Sequence, residues 1–158
     1  MSPTNVTSQR VALGDVTPNN IGQLRKLHNV IFSGRYGEHS HNDILDAGEL
    51  SKLVYYNDVC VGAVCSQKNG EKITLKSLGV LQPYRGLGLG RTLLNHILDQ
   101  AKERGSASIE TYVQTSDEDA VSFYKHHGFQ LLSTEKEYFK QLEHKDAYVL
   151  SKSVESEQ

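Results

Sequence analysis

Three glycines fall within five residues in Gly86-Leu87-Gly88-Leu89-Gly90, directly after Gln82-Pro83-Tyr84-Arg85 and just before Arg91. The strand-like run Ile73–Val80 leads into them, and Leu93, Leu94, Ile97, Leu98 and Ala101 recur behind them at helical spacing. Glycine has no Cβ, so backbone N–H groups can converge there, and the start of the following helix adds the positive end of its dipole. The chemistry on offer is anion binding, with a phosphorylated ligand as the expected occupant; the competing reading is a strand-to-helix turn that binds nothing. A P-loop is excluded, because Arg91-Thr92 follows Gly90 without the required gap and without lysine. The dinucleotide fingerprint fails too, because these glycines alternate rather than follow Gly-x-Gly-x-x-Gly.

Few other residues invite chemistry. Glu110 precedes Tyr112 by two residues, so on a strand both point to one face, and a carboxylate beside a cleft could accept a proton. The competing reading of Glu110 is an exposed strand glutamate. Tyr124 sits on an amphipathic segment and reads as a core tyrosine. His126 and His127 suit a helix C-terminus, and His39 and His41 lie in a loop with no convergent ligand set, so no metal site is expected. Cys60 and Cys65 fall in the apolar run Val59–Cys65 and are expected as two buried thiols rather than a disulfide or zinc site.

These groups need a frame. The chain of 158 residues is long enough for one domain with a proper core, placed at residues 10–153 with polar tails at 1–9 and 154–158. Its net charge of −2 does not suggest a nucleic-acid or anionic-membrane surface. With no long apolar run and a polar start, a cytoplasmic protein is expected. Strands are predicted at 10–14, 49–56, 59–67, 73–80, 107–114, 129–133 and 147–152. Asn57-Asp58 and Lys68–Glu71 provide hairpin signals. Helices are predicted from Thr17-Pro18 to about Phe32, over 42–47, after the glycine turn as far as Gly105, and from a Ser116 cap to just before Gly128. The order β-α-α-β-β-β-α-β-α-β-β is mixed α/β.

Arg85-x-x-Gly88-x-Gly90 resembles the pyrophosphate-binding signature of the GNAT acetyltransferases, and the element order matches that superfamily's layout. Further stretches resemble its NatE-type N-terminal α-acetyltransferase catalytic subunits: Leu13–Pro18, Val30-Ile31-Phe32, Asp58–Val64, Leu78–Arg85, Leu94–Leu98, Val113-Gln114, Ala120–Lys125 and Gly128-Phe129. The resemblance covers about residues 10–153. It implies the GNAT fold, a mixed, mostly antiparallel sheet with splayed central strands flanked by helices. It also implies acetyl transfer from acetyl-CoA to the α-amine of protein or nascent-chain N-termini, often a retained methionine. The implied partners are the catalytic and auxiliary subunits of NatA on the ribosome, with room for a nuclear pool.

Residue by residue, the resemblance implies that Leu78, Gly79 and Val80 hold the thioester and pantetheine through their backbone, with oxyanion stabilisation by N–H groups around Gly79 and Val80. Arg85, Gly86, Leu87, Gly88, Leu89 and Gly90 would hold the pyrophosphate, and Asp117 occupies a position facing the pantetheine. It also implies that Tyr124 protonates or shelters the departing thiolate. Phe32, Ser33, Gly34 and Tyr36, with Tyr138, Phe139 and Lys76, fall at substrate-binding positions. The chain departs from the family where chemistry is expected. Thr74 stands at the catalytic tyrosine position, Lys76 at a pocket methionine and Tyr112 at the histidine base. A missing base matters less for an α-amine, with a pKa of about 7.7–8.0, than for a lysine at about 10.4. Thr74, Tyr112 or Glu110 would then assist through water. The alternative is an acetyl-CoA-binding subunit with weak or no activity that stabilises NatA.

Overall fold

A computed structural model gives the fold over residues 10–32, 41–140 and 142–154. The strands are β1 (Val11–Asp15), β2 (Ser51–Tyr56), β3 (Val59–Asn69), β4 (Lys72–Val80), β5 (Ser108–Gln114), β6 (Gln130–Glu135) and β7 (Ala147–Ser153). The helices are α1 (Ile21–Phe32), α2 (His41–Asp46), α3 (Leu89–Glu103) and α4 (Glu118–His126). All seven strands form one sheet in the order β1-β2-β3-β4-β5-β7-β6. Every pairing is antiparallel except β4–β5, the two strands joined by the α3 crossover.

Strand alternation splits the core into two layers. Val54, Val61, Ile73, Leu75, Ile109 and Leu150 turn to the face covered by α3, which buries Leu89, Leu93, Leu94, Ile97 and Ala101 against them. Leu53, Ala63 and Cys65 turn to the opposite face, where Ile21, Leu24 and Leu27 of α1 and Ile44 of α2 cover them. Left-handed Asn57 and Asp58 make the β2–β3 hairpin, and Gly70 turns β3 into β4. The 1–9 tail lies outside the described residues. Val154, expected in the C-terminal tail, extends the last strand's contacts: its N–H donates to the Ala107 carbonyl at 2.9 Å and its side chain packs on the core.

Two local expectations are corrected. The cap of α4 is Asp117, whose Oδ1 accepts from the Ala120 N–H at 3.2 Å, rather than Ser116. A carboxylate caps as well as a hydroxyl and adds negative charge at the helix's positive end. Cys60 is only partly buried, because it lies one residue into β3 beside the exposed hairpin, whereas Cys65 is in the core. Burial pushes both thiols up, Cys65 to about 11. Alkylation of the folded protein at pH 8 is therefore expected to modify Cys60 slowly and Cys65 only on unfolding, with peptide mapping as the readout. Equal labelling rates would contradict this packing.

Candidate active site

The sheet opens where the cofactor is expected. β4 and β5 pair from Lys72↔Ser108 only to Leu75↔Thr111, although each continues to its own outer neighbour as far as Val80 and Gln114. The buried Thr111 hydroxyl donates to the Leu75 carbonyl at 3.0 Å, which pins the point of divergence. Beyond it, β4 bulges. Cys65 pairs with Ser77 and Ser66 with Leu75, leaving Lys76 as the extra residue, with its side chain in solvent.

Ladder alternation then assigns the backbone. The Leu81 N–H donates to Val61 of β3, so the polar groups of Val80 and Leu78 turn away from β3 into the splay, while those of Gly79 turn toward β3. Arg85 Nε donates to the Val80 carbonyl at 2.9 Å, holding the following turn against the strand end. Of the expected oxyanion donors, Val80 N–H therefore has the right direction.

The glycine turn has the form of an anion cradle. Gly86 and Gly88 are both at φ +82°, a left-handed backbone with nothing within 4 Å of a would-be Cβ. Gly88 caps α3 without a side-chain hydrogen bond, so the first-turn N–H groups of this long helix are directed at the loop. Gly90 lies under Phe123 of α4, whose ring is 3.4 Å from its would-be Cβ. Leu89 anchors the helix start in the core, while Leu87 stays exposed. The cradle, the splay and the diverging carbonyls and N–H groups suit a pyrophosphate joined to an extended amide-bearing arm. Tyr124 is buried between Phe123 and Phe129 with ring centroids at 5.3 and 5.2 Å, on the side of α4 packed against the core.

On the other face of β4 lies the end of α1. A Cβ on Gly79 would fall 2.6 Å from Ile31 Cγ2 and 2.9 Å from Phe32 Cζ, so Phe32 rests directly on the strand. Thr74 is buried opposite Glu110 in the parallel register. Glu110 is corrected from the exposed reading: it is 8% exposed, and Lys72 Nζ lies 3.0 Å from its Oε1. The parallel register sets Lys72 and Thr74 beside Ser108 and Glu110, so a partner two residues from Thr74 neutralises the carboxylate. To accept a proton, Glu110 would have to give up that ion pair. Lys72→Met, which leaves the carboxylate alone, is expected to cost roughly 1–3 kcal/mol in chemical denaturation. A variant as stable as the parent would deny the pair its structural role.

Tyr112 stacks on Tyr138, with centroids 4.4 Å apart and planes at 11°, and Phe139 meets Tyr138 edge-on at 4.9 Å. Burial, and then the neighbouring Tyr112, raise the Tyr138 phenol above its ordinary value, so it is no base near neutral pH. The segment carrying these rings is tied down by Phe139 N–H to the Lys145 carbonyl and Gln114 Nε2 to the His144 carbonyl, both at 2.8 Å. Ser33, Gly34 and Tyr36 lie outside the described residues, as does His39.

The sequence model of the acetyltransferase (GNAT) family matches residues 21–129, the span from α1 through the cradle to the end of α4. The chain belongs to this family. It is an acetyltransferase, with acetyl-CoA as its co-substrate. N-alpha-acetyltransferase 50 of Danio rerio is 45% identical over 152 residues, covering 93% of this chain and 90% of that protein. A protein of Drosophila melanogaster called probable N-acetyltransferase san is 43% identical over 94% of this chain and 84% of its own length. The structure of Arabidopsis thaliana Naa50 in complex with the bisubstrate analogue CoA-Ac-MVNAL superposes with a TM-score of 0.84 at 42% identity, covering 90% of this chain and 98% of that one. The seven-strand mixed sheet with its splay is thus the GNAT fold.

The structure brings together the cradle, the splayed strands and Phe32 at one end of β4, and gathers Tyr112, Tyr138 and Phe139 beside β5. Asp117 keeps its place at the start of α4. Three contacts near the site escaped the sequence reading. Those of Thr111 and Lys72 are visible only through the parallel register. His28, on the apolar face of α1 with Leu24, Leu27 and Ile31, has its Nε2 3.0 Å from the Ser77 hydroxyl of β4. Among the described residues no cluster of His, Cys, Asp and Glu could hold a metal, and no helix is long and apolar enough to cross a membrane.

Proposed function

We propose that this acetyltransferase acts on the α-amine of polypeptides that begin with methionine. The observation that carries the reading is Phe32 packed on Gly79, which sets an aromatic wall for a first side chain directly beside the backbone expected to meet the thioester. The relative bound to a CoA-linked peptide beginning with Met supports the same acceptor. In this reading the cradle and the splay would hold the cofactor's pyrophosphate and pantetheine, Val80 N–H, turned into the splay, would meet the developing negative charge, and Tyr124 would protonate or shelter the departing thiolate as the resemblance implies. The stacked Tyr112–Tyr138 pair and Phe139 would form a second wall for the peptide, as the family resemblance implies.

Work with the NatA subunits at the ribosome, in a cytoplasmic setting with a nuclear pool, is proposed on the family resemblance. A second reading, a cofactor-binding subunit with little turnover that stabilises NatA, is favoured by Thr74, Lys76 and Tyr112 at the family's catalytic and pocket positions. Steady-state assays of the purified protein with Met-starting peptides separate the two. Turnover with acetyl-CoA supports the enzyme; tight acetyl-CoA binding without turnover on any peptide supports the subunit.

A further inference from the structure

Two lysines stand on β4, one on each side of the point where it leaves β5. Lys72 lies in the paired stretch, and its charge is met by Glu110, Nζ to Oε1 at 3.0 Å. Lys76 is the first residue past the last pair, Leu75↔Thr111, and is the residue that the bulge leaves over. It is exposed between buried Leu75 and buried Ser77. Among the described residues no carboxylate forms an ion pair with it. Glu110, the acid on the neighbouring strand, is already held by Lys72 and does not cancel this second charge.

A bulge in an inner strand interrupts the ladder and re-aims a side chain, and bulges gather beside active sites. Here the re-aimed group is a cation. The core under α3 covers the face to which Leu75 turns, so an exposed side chain at this point of β4 projects on the other side, where the strands part. That side carries Phe32 on Gly79, three residues further along β4. On β5, Ile109 and Val113 turn to the α3 face, so Tyr112 between them turns to this one, where it stacks on Tyr138. Lys76 thus stands at the closed end of the gap between the strands, with Phe32 toward the open end and the stacked tyrosines across from it.

We infer that Lys76 sets a charge preference for the acceptor: it favours polypeptides with aspartate or glutamate at the second or third residue and disfavours those with lysine or arginine there. The inference rests on the α-amine reading above, which sets the first side chain against Phe32. Gly79, on which Phe32 rests, is three residues from Lys76, roughly 10 Å along the strand. Each residue of an extended acceptor covers roughly 3.3–3.6 Å, and the lysine carries its charge on a flexible four-carbon stem. The ammonium therefore comes within reach of the second and third side chains while the first stays at Phe32. Because the lysine is exposed, water and salt screen it, so the effect is a preference of a few-fold per charge rather than an absolute requirement. Attraction of an acidic acceptor and repulsion of a basic one both widen the difference between the two.

The experiment measures kcat/KM for Met-starting peptides that differ only in carrying Glu, Gln or Lys at the second residue, and for a matching set varied at the third. The parent, Lys76→Gln and Lys76→Glu are compared at low salt and at about 1 M salt. At one or both positions the parent is expected to favour Glu over Gln about 2–5-fold and Glu over Lys about 5–20-fold, with both ratios shrinking in high salt. Lys76→Gln should abolish the order and Lys76→Glu should reverse it. Ratios taken within each variant are independent of any loss of overall activity that the substitution brings. A parent that acetylates the Glu, Gln and Lys peptides alike at both positions, or an order that survives unchanged in Lys76→Gln, would overturn the inference while leaving α-amine acetylation standing. Should Lys76→Glu fail to fold, the Lys76→Gln comparison decides alone. A parent that acetylates none of the peptides would instead sink the α-amine reading, and the charge preference with it.

Discussion

Gly79→Ala is expected to reduce kcat/KM for peptide by about a hundredfold or more and to lower stability by about 1–3 kcal/mol. The added carbon would sit 2.6 Å from Ile31 Cγ2 and 2.9 Å from Phe32 Cζ, distances that require the end of α1 to lift from β4. Lifting it moves the aromatic wall of the acceptor pocket, and displacement of about 1 Å is enough to misplace an attacking amine. The added methyl points to the α1 face of β4, away from the face that α3 and its cradle cover, so acetyl-CoA affinity should fall much less than peptide turnover. Chemical denaturation together with separate kinetics for the two substrates checks this; equal losses on both would show that Gly79 serves the cofactor rather than the α1 contact.

The second large effect concerns the cradle. Gly88→Val is expected to weaken acetyl-CoA binding about 10–100-fold, equivalent to about 1.4–2.8 kcal/mol. A branched residue at φ +82° is strained, and its side chain would stand in the open space in front of the first-turn N–H groups of α3. Gly70→Val is the control. Gly70 is also left-handed, at φ +66° with open space around it, but lies in the β3–β4 hairpin. It should lose stability without losing affinity. Calorimetric titration with acetyl-CoA distinguishes the two, and a matching loss of affinity in Gly70→Val would reduce the Gly88 effect to general destabilisation.

The element order is legible in the sequence because its signals are local: alternation in Val59–Gln67, the i, i+3, i+4 recurrence behind Gly90, and turn residues at Asn57, Gly70 and Gly105. The cradle is legible for the same reason. What escapes local reading depends on register. That β4 and β5 part company after Leu75 and Thr111, that Lys76 is the odd residue of a bulge, and that Lys72 reaches Glu110 follow from how distant strands align. Glu110 shows the effect most clearly. Alone it reads as a surface glutamate, and only the parallel neighbour makes it a buried, paired one. His28 is hidden differently, because a histidine among Leu24, Leu27 and Ile31 reads as part of a helix face until the strand beneath supplies Ser77.

The most direct test of the account is mass-spectrometric localisation of the acetyl group after the purified protein acts on a Met-starting peptide that also contains an internal lysine. The account predicts a single acetyl on the α-amine, none on the lysine, and no product when the α-amine is blocked beforehand. Acetylation of the lysine in the blocked peptide at a rate comparable to the open one would contradict it.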